Sequence, residues 1–235
     1  MRYEGKMLPA GMERVCIGDS ATLYLADALE LIDTLEHFDV VLTDPPYGVE
    51  GGHGGQLRDY QKANYTGEWE DTPEYIKTVC VPVIQKCLEH AKTVAMTPGT
   101  RCCCSYPQPD EVGCFYAPAS SRIGKFGFQN CHPIFFYGYY KQRGKGALHT
   151  VYQMCEAAED WGHPCPKPIK AWTWLADRVS WDGCTILDPF MGSGTTGVAA
   201  LKLGRRFIGI EIEDKYFRIA CERIKREYDQ LKMQF

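Results

Sequence analysis

The chain has 235 residues, 45% of them hydrophobic and 24% charged, with a formal net charge of −4. This suits one sizeable soluble domain with a large core. No apolar run approaches the roughly 20 residues of a membrane span, and the start "MRYEGKMLPAGMERVCIGD" lacks the apolar core of a signal peptide, so a cytoplasmic protein is expected.

In chain order, "ATLYLADALELIDTLEHFDVVLTD" reads as a strand (Thr22 to Leu25), a short helix (about Ala28 to Leu35) and a second strand from Phe38. That strand ends in "TDPPYG", where prolines with fixed φ and no N–H stop the sheet and hold Asp44 and Tyr47 on a stiff corner. The four glycines in Gly51 to Gly55 then read either as a flap closing on a ligand or as a surface loop. "TPEYIKTVCVPVIQKCLEHAK" is a helix with Thr72 as cap and Pro73 in its first position, and "TVAMTPGT" is a strand ending in a turn. "HPIFFYGYYK" reads as a buried strand.

"KPIKAWTWLADRVS" is an amphipathic helix opened by Pro168, "TILDPF" a strand, "GSGTTGVAALKLG" a glycine-rich turn and helix, and "RRFIGIEIE" another strand. Tyr216 to Lys232 is a last helix, charged on one face. Strands alternating with helices predict a doubly wound, mainly parallel α/β sheet. The whole of 1–235 is expected to be a single domain, with a short insertion within about 102–161.

Ligands of such folds bind outside the carboxyl ends of the strands, and two of those ends carry chemistry. At "LDPFMGSGTTG", Gly192 and Gly194 allow close backbone approach, and the helix start offers free N–H groups to an anion. Glu211 ends the next strand, near where a ribose-binding acid belongs in nucleotide folds. No G-x-x-x-x-G-K-[ST] pattern occurs, and a nucleoside ligand other than NAD or ATP is expected.

From Ser121 to Thr150 the charged residues are Arg122, Lys125, Lys141, Arg143 and Lys145, with no acid among them, interleaved with aromatics. Cations for phosphates and rings for bases suit a nucleic-acid surface; aromatic core strands with a solvated basic loop are the other reading, and the tip "KQRGKG" is the part favoured for binding. The twelve cysteines sit in a chain too long for a disulfide scaffold and are expected as buried reduced thiols. Neither Cys102 to Cys104 nor His149, Cys155, His163 and Cys165 has paired metal-ligand spacing, so no metal is expected.

Taken together, "DPPY" at Asp44, Pro45, Pro46 and Tyr47, the later loop from Asp188, Pro189 and Phe190 through Gly192, Ser193, Gly194, Thr195 and Thr196, "HPCPKP" before it and the strand-end Asp27 resemble the S-adenosylmethionine-dependent amino-DNA methyltransferases. The motif order is that of the family's β class, and the fold implied is the Rossmann-like methyltransferase sheet. The resemblance implies that Gly192 to Thr196 cradle the methionine part of S-adenosylmethionine. It gives Glu211 the ribose, Asp27 the adenine amino group, and Lys167 and Pro168 the cofactor's carboxylate. It implies double-stranded DNA as partner, in a bacterial, archaeal or phage-infected cell. Asp44 would accept a proton of an exocyclic amino group on a base turned out of the duplex, and Tyr47 would stack on that base.

The aspartate of this motif leans toward adenine N6, since serine there accompanies cytosine N4. Cytosine N4, RNA, a protein glutamine and a non-catalytic binding module stay open as alternatives, as do restriction–modification, phage and regulatory roles. So short an insertion leaves recognition minimal, with a second copy of the chain or a partner able to complete it.

Overall fold

A computed structural model of the chain describes residues 12–48, 71–118, 123–124, 127–138, 149–155 and 167–233. Eleven strands lie among them: β1 (Glu13–Ile17), β2 (Ala21–Leu25), β3 (Val40–Thr43), β4 (Thr93–Met96), β5 (Glu111–Tyr116), β6 (Ile123–Gly124), β7 (Gly127–Phe128), β8 (Cys131–Gly138), β9 (Val151–Gln153), β10 (Thr185–Asp188) and β11 (Arg206–Glu211). The helices are α1 (Ala28–Leu31), α2 (Pro73–Tyr75 continuing through Ile76–Cys80 to Val81–His90), α3 (Ile169–Val179), α4 (Thr195–Lys202) and α5 (Asp214–Lys232).

Nine strands form one sheet in the order β1-β2-β11-β10-β3-β4-β8-β5-β9, and β6 pairs with β7 separately. The five strands β2, β11, β10, β3 and β4 run parallel. β1 and β8 pair antiparallel with β2 and β4, and β5 runs antiparallel to β8. The expected mainly parallel sheet is therefore the observed one. "HPIFFYGYYK" enters it as β8, while β1, β5 and β9 were not foreseen.

The central strands are short apolar runs because both their faces are covered. Val40, Leu42 and Ile186 turn to the side of α3, α4 and α5, where Trp172, Val198, Phe217 and Ile224 complete a core. Val41, Val94, Met96 and Leu187 turn to the other side, against Leu31, Ile76, Val83 and Ile84 of α1 and α2. Successive strand residues thus divide between two cores, as the period of two requires.

Thr72 accepts from the Tyr75 N–H at 3.1 Å and Pro73 opens α2, as the sequence indicates. The segment Ile76–Cys80 is wound as a π-helix. The reason lies just beyond it: Pro82 has no N–H for the Thr78 carbonyl, and widening the preceding turn relieves that break in the ladder. The short helix expected to Leu35 stays α-helical only to Leu31 and tightens to a 3-10 turn over Ile32–Thr34.

The cysteines depart from expectation in two ways. Cys114 and Cys131, on neighbouring antiparallel strands, form a disulfide. Among the free thiols Cys80, Cys87, Cys102 and Cys184 are buried, but Cys16, Cys104 and Cys155 are exposed. Among the described residues no helix is long and apolar enough to cross a membrane.

Gly113 fixes how closely β5 can lie to the chain leading into β9. A Cβ there would stand 2.4 Å from the Thr150 carbonyl oxygen and 2.8 Å from the Phe136 ring. Gly113→Ala should therefore cost about 1–3 kcal/mol by overpacking. In urea the midpoint should fall with the slope unchanged; an unmoved midpoint would mean that the Thr150 backbone yields at no cost.

Candidate active site

The carboxyl ends of β2, β11, β10, β3 and β4 lie side by side, and each leads into a residue that matters to the site. In order these are Asp27, Glu211, the loop from Asp188, Asp44, and Thr97 with Gly99. Neighbouring strands lie about 4.8 Å apart, so the row from Glu211 to Asp44 spans about 10 Å. The chain leaves β10 through α4 toward β11 and leaves β3 through α2 toward β4, so β10 and β3 mark the point where the winding reverses. That is where open α/β sheets place their ligands.

Asp44 is held by three groups. One carboxylate oxygen accepts from the Tyr47 hydroxyl and the Thr97 hydroxyl, and the other pairs with the Lys167 ammonium. Lys167 Nζ also stands 5.1 Å from the centre of the Tyr47 ring. Gly99, at φ +66°, brings its backbone onto that ring, where a Cβ would lie 2.8 Å from two ring carbons. Burial and the adjacent Asp44 charge push the Tyr47 phenol upward, so it stays a neutral donor. Gly48 closes the corner at φ +70°, and its N–H donates to Asp71 at 2.5 Å.

Asp188 lies behind the loop rather than on its open side. It is 2% exposed and accepts from the Thr43 hydroxyl at 2.6 Å, the Thr196 hydroxyl at 2.5 Å and the Phe190 N–H at 3.1 Å. Burial pushes its carboxyl up to about 6; the three donors oppose that shift and nearby Asp44 adds to it. Thr196 in turn accepts from the Trp172 indole N–H at 2.8 Å. Arg223 of α5 donates to the Ser193 carbonyl and to the hydroxyls of Ser193 and Thr195. The side chains of Asp188, Ser193, Thr195 and Thr196 thus brace the loop from within. Pro189 is buried and Phe190 packs on the α2 side of the sheet. The loop is left with backbone and glycine to present outward, and Gly192 and Gly194 take φ of +51° and +80° to do so.

Glu211 accepts from the N–H groups of Gly192 (2.8 Å), Ile212 (3.0 Å) and Glu213 (2.9 Å). Burial outweighs these bonds and pushes its carboxyl up to about 7. Asp27 lies one strand over, where the Ala26 N–H donates to the Glu211 carbonyl at 2.9 Å. Its carboxylate caps α1 through the Leu29 N–H at 2.8 Å. Tyr75 of α2 is drawn into the same neighbourhood, its phenol pushed up first by burial and then by charges that include Asp27 and Glu211.

The structure thus brings together Asp27, Asp44, Tyr47, Lys167, Asp188, Glu211 and the glycine loop. Lys167 meets the Asp44 carboxylate, whereas the resemblance assigned it to a cofactor carboxylate, and Pro168 is the N-cap residue of α3. Thr43, Thr97, Trp172 and Arg223 were missed. Thr43 stands directly before Asp44 and drew no attention as a donor; the other three lie outside the motifs, and only the end of "TVAMTPGT", which runs beside β3, could have pointed to Thr97. Arg122, Lys125, Lys141, Arg143, Lys145 and the Gly51 to Gly55 segment lie outside the described residues.

Residues 135–222 match the model of a DNA methylase family of N6/N4 type. A stretch of 80 residues is 45% identical to the Type II methyltransferase M2.DpnII of Streptococcus pneumoniae, covering 32% of this chain and 28% of that protein. The Type II methyltransferase M2.LlaDCHI of Lactococcus lactis subsp. cremoris is 24% identical over 88% of this chain and 90% of its own length. Among solved structures, M1.HpyAVI superposes with a TM-score of 0.60 at 20% identity, over 87% of this chain and 98% of that one.

The raised Glu211 carboxyl sets a pH dependence. Its folded-state value of about 7 lies above the ordinary 4.5, so the folded protein binds more protons in between and loses stability as pH rises through that window. Glu211→Gln removes this titration. Between about pH 5 and 7 the wild type should lose on the order of 1–2 kcal/mol more than the variant. Urea unfolding at several pH values measures the difference, and parallel curves would show that Glu211 titrates normally.

Residues 135–222 are thus similar to the N6/N4 DNA methylases, and the sheet that carries them has the fold of M1.HpyAVI.

Proposed function

We propose that the protein is an S-adenosylmethionine-dependent DNA methyltransferase that modifies the exocyclic N6 of an adenine turned out of duplex DNA. The observation that carries this reading is the bond chain Thr43–Asp188–Thr196. It ties the strand delivering Asp44 to the loop built for close backbone approach.

The residues present fit the cofactor. Glu211 is a buried acid beside the Gly192 N–H, suited to ribose hydroxyls. The positive-φ glycines leave the loop backbone open to a methionine moiety. Asp27 stands one strand further along the same row, on the side suited to the adenine end. The bound cofactor supplies an electrophilic methyl group.

An exocyclic amino group is a poor nucleophile because its lone pair is delocalised into the ring. Asp44 would accept a hydrogen bond from one of its N–H groups, and the carbonyl between Asp44 and Pro45 is available for the other, which favours a pyramidal nitrogen with a localised lone pair. As the nitrogen–methyl bond formed the methyl–sulfur bond would break, and the nitrogen would then release one proton to the Asp44 carboxylate. This is catalysis by positioning and electrostatics. The corner geometry keeps the acceptor and the Tyr47 ring in fixed relation, and an extruded base needs both. Since Lys167 engages both groups in the structure, an incoming amino group exchanges with its ammonium. The five cations between Arg122 and Lys145 would take the phosphates. The choice of adenine rests on the aspartate at position 44, and the site would serve cytosine N4 by the same chemistry.

Methyl transfer from labelled S-adenosylmethionine into mixed-sequence duplex DNA, followed by nucleoside mass spectrometry, tests the reading. N6-methyladenine is expected from the wild type. Asp44→Ala should lower the rate by about 100-fold or more, the scale of losing a preorganised polar contact at the reacting atom. N4-methylcytosine would keep the mechanism and overturn the base. Cofactor binding without DNA methylation would favour RNA or a protein amide as acceptor.

A further inference from the structure

The glycine loop at the end of β10 has no cap of its own. α4 starts from Gly194, which offers no side-chain acceptor to the first N–H groups. Two glycines at positive φ also make such a loop costly to order. What stands beneath it is α5. A Cβ on Gly194 would lie 3.1 Å from the Ala220 Cβ and 3.0 Å from the Ile224 Cδ1, and one on Gly197 would lie 2.4 Å from the same Ile224 carbon. These two glycines therefore let α4 lie directly on α5. Positions 220, 223 and 224 share one helix face, and between the two apolar contacts Arg223 points at the loop. Its guanidinium reaches the Ser193 carbonyl at 3.2 Å, the Ser193 hydroxyl at 3.3 Å and the Thr195 hydroxyl at 2.9 Å, while the residue is 4% exposed. The acceptors flank Gly194 on both sides, so a single nitrogen, Nη1, ties the residues on either side of the left-handed one.

We propose that Arg223 is a positioning residue of the cofactor loop, clamping residues 193–195 from behind so that the backbone is already in binding conformation before a ligand arrives. The binding part of this inference rests on the methyl-donor reading given above; the ordering part does not. A loop ordered in advance spares the ligand that entropy. Removing the clamp should therefore weaken ligand affinity and leave the chemical step alone.

Arg223→Met and Arg223→Lys carry the test, with S-adenosylhomocysteine as the calorimetric probe. In the methionine variant, hydrogen exchange of the amides at 192–196 should speed up about tenfold or more while β3 and β10 keep their protection. The dissociation constant for S-adenosylhomocysteine should rise about tenfold, and kcat at saturating methyl donor should stay within about threefold. The lysine variant, whose ammonium ends short of the position of Nη1, should fall in between, and it carries the test if the methionine variant does not fold. Combining Arg223→Met with Thr195→Val should cost no more than Arg223→Met alone, because both remove the same contact. Unchanged loop exchange in both variants, a fall in kcat with affinity intact, or additive losses in the double variant would each overturn the proposal. A wild type that fails to bind S-adenosylhomocysteine would sink the methyl-donor reading instead, and loop exchange would still decide the role of Arg223.

Discussion

The architecture of the site turns on one buried carboxylate. Asp188 gathers a hydroxyl from the end of β3, a hydroxyl from the first turn of α4 and the N–H of Phe190. Burying an ionised carboxylate is costly unless donors surround it, and the upward push on its titration shows burial still outweighing its donors. What the arrangement secures is registration. β10 and β3 are neighbours in the sheet, but hydrogen bonds between strands fix only the backbone. The Thr43–Asp188–Thr196 chain carries that alignment past the strand ends, so the corner bearing Asp44 and the loop bearing Gly192 cannot shift independently. Trp172 extends the same chain to α3, which follows directly on Lys167.

A division of labour follows from it. The loop hydroxyls point backward to Asp188, Trp172 and Arg223, which leaves the glycines and their backbone to be presented forward. Acids line the row: Asp27, Glu211, Asp188 and Asp44 end or follow successive strands, and the proximity of Asp188 adds to the upward push on Glu211. Asp188 lies behind the loop and Lys167 offsets the charge of Asp44, so Asp27 and Glu211 are the acids that give the row its negative character. In the sequence, the acid-free basic segment between Ser121 and Thr150 stands apart from the four acids of the row.

Much of this was legible from residues alone, for identifiable reasons. The central strands announce themselves as short β-branched runs because both faces are buried, and the breakers after them, Pro45 and Gly192, mark the strand ends where ligands bind. Thr72 and Pro73 give a helix start by chemistry local to three residues. What stayed hidden depends on distant parts of the chain meeting. Arg223 sits in an amphipathic helix whose sequence shows which face is apolar but not which loop that face meets. Asp188 reads as part of a ligand loop because it stands in the motif; only the approach of Thr43, 145 residues away, shows that it faces inward. β1, β5 and β9 were missed because strands at sheet margins carry mixed burial, as in the exposed Val112 beside the buried Gly113.

The corner at Asp44 illustrates the difference between a rigid site and an empty one. Its prolines and the close approaches at Gly48 and Gly99 fix where the carboxylate and ring stand, yet both are engaged from within by Lys167. An acceptor oxygen and an open ring face are what a planar, amino-bearing base requires. The lysine meets both requirements with one flexible side chain, an ammonium donor standing over the ring. On the function proposed above, capture of the base is thus an exchange of donors rather than the filling of a bare pocket. Asp44 keeps a hydrogen-bonded partner throughout, so its burial penalty is not exposed when the pocket is unfilled. The affinity a base gains there is the difference between its own contacts and those of Lys167. Such a corner discriminates on the full match of amino group and ring, because a molecule offering only one of the two exchanges a good contact for a lesser one.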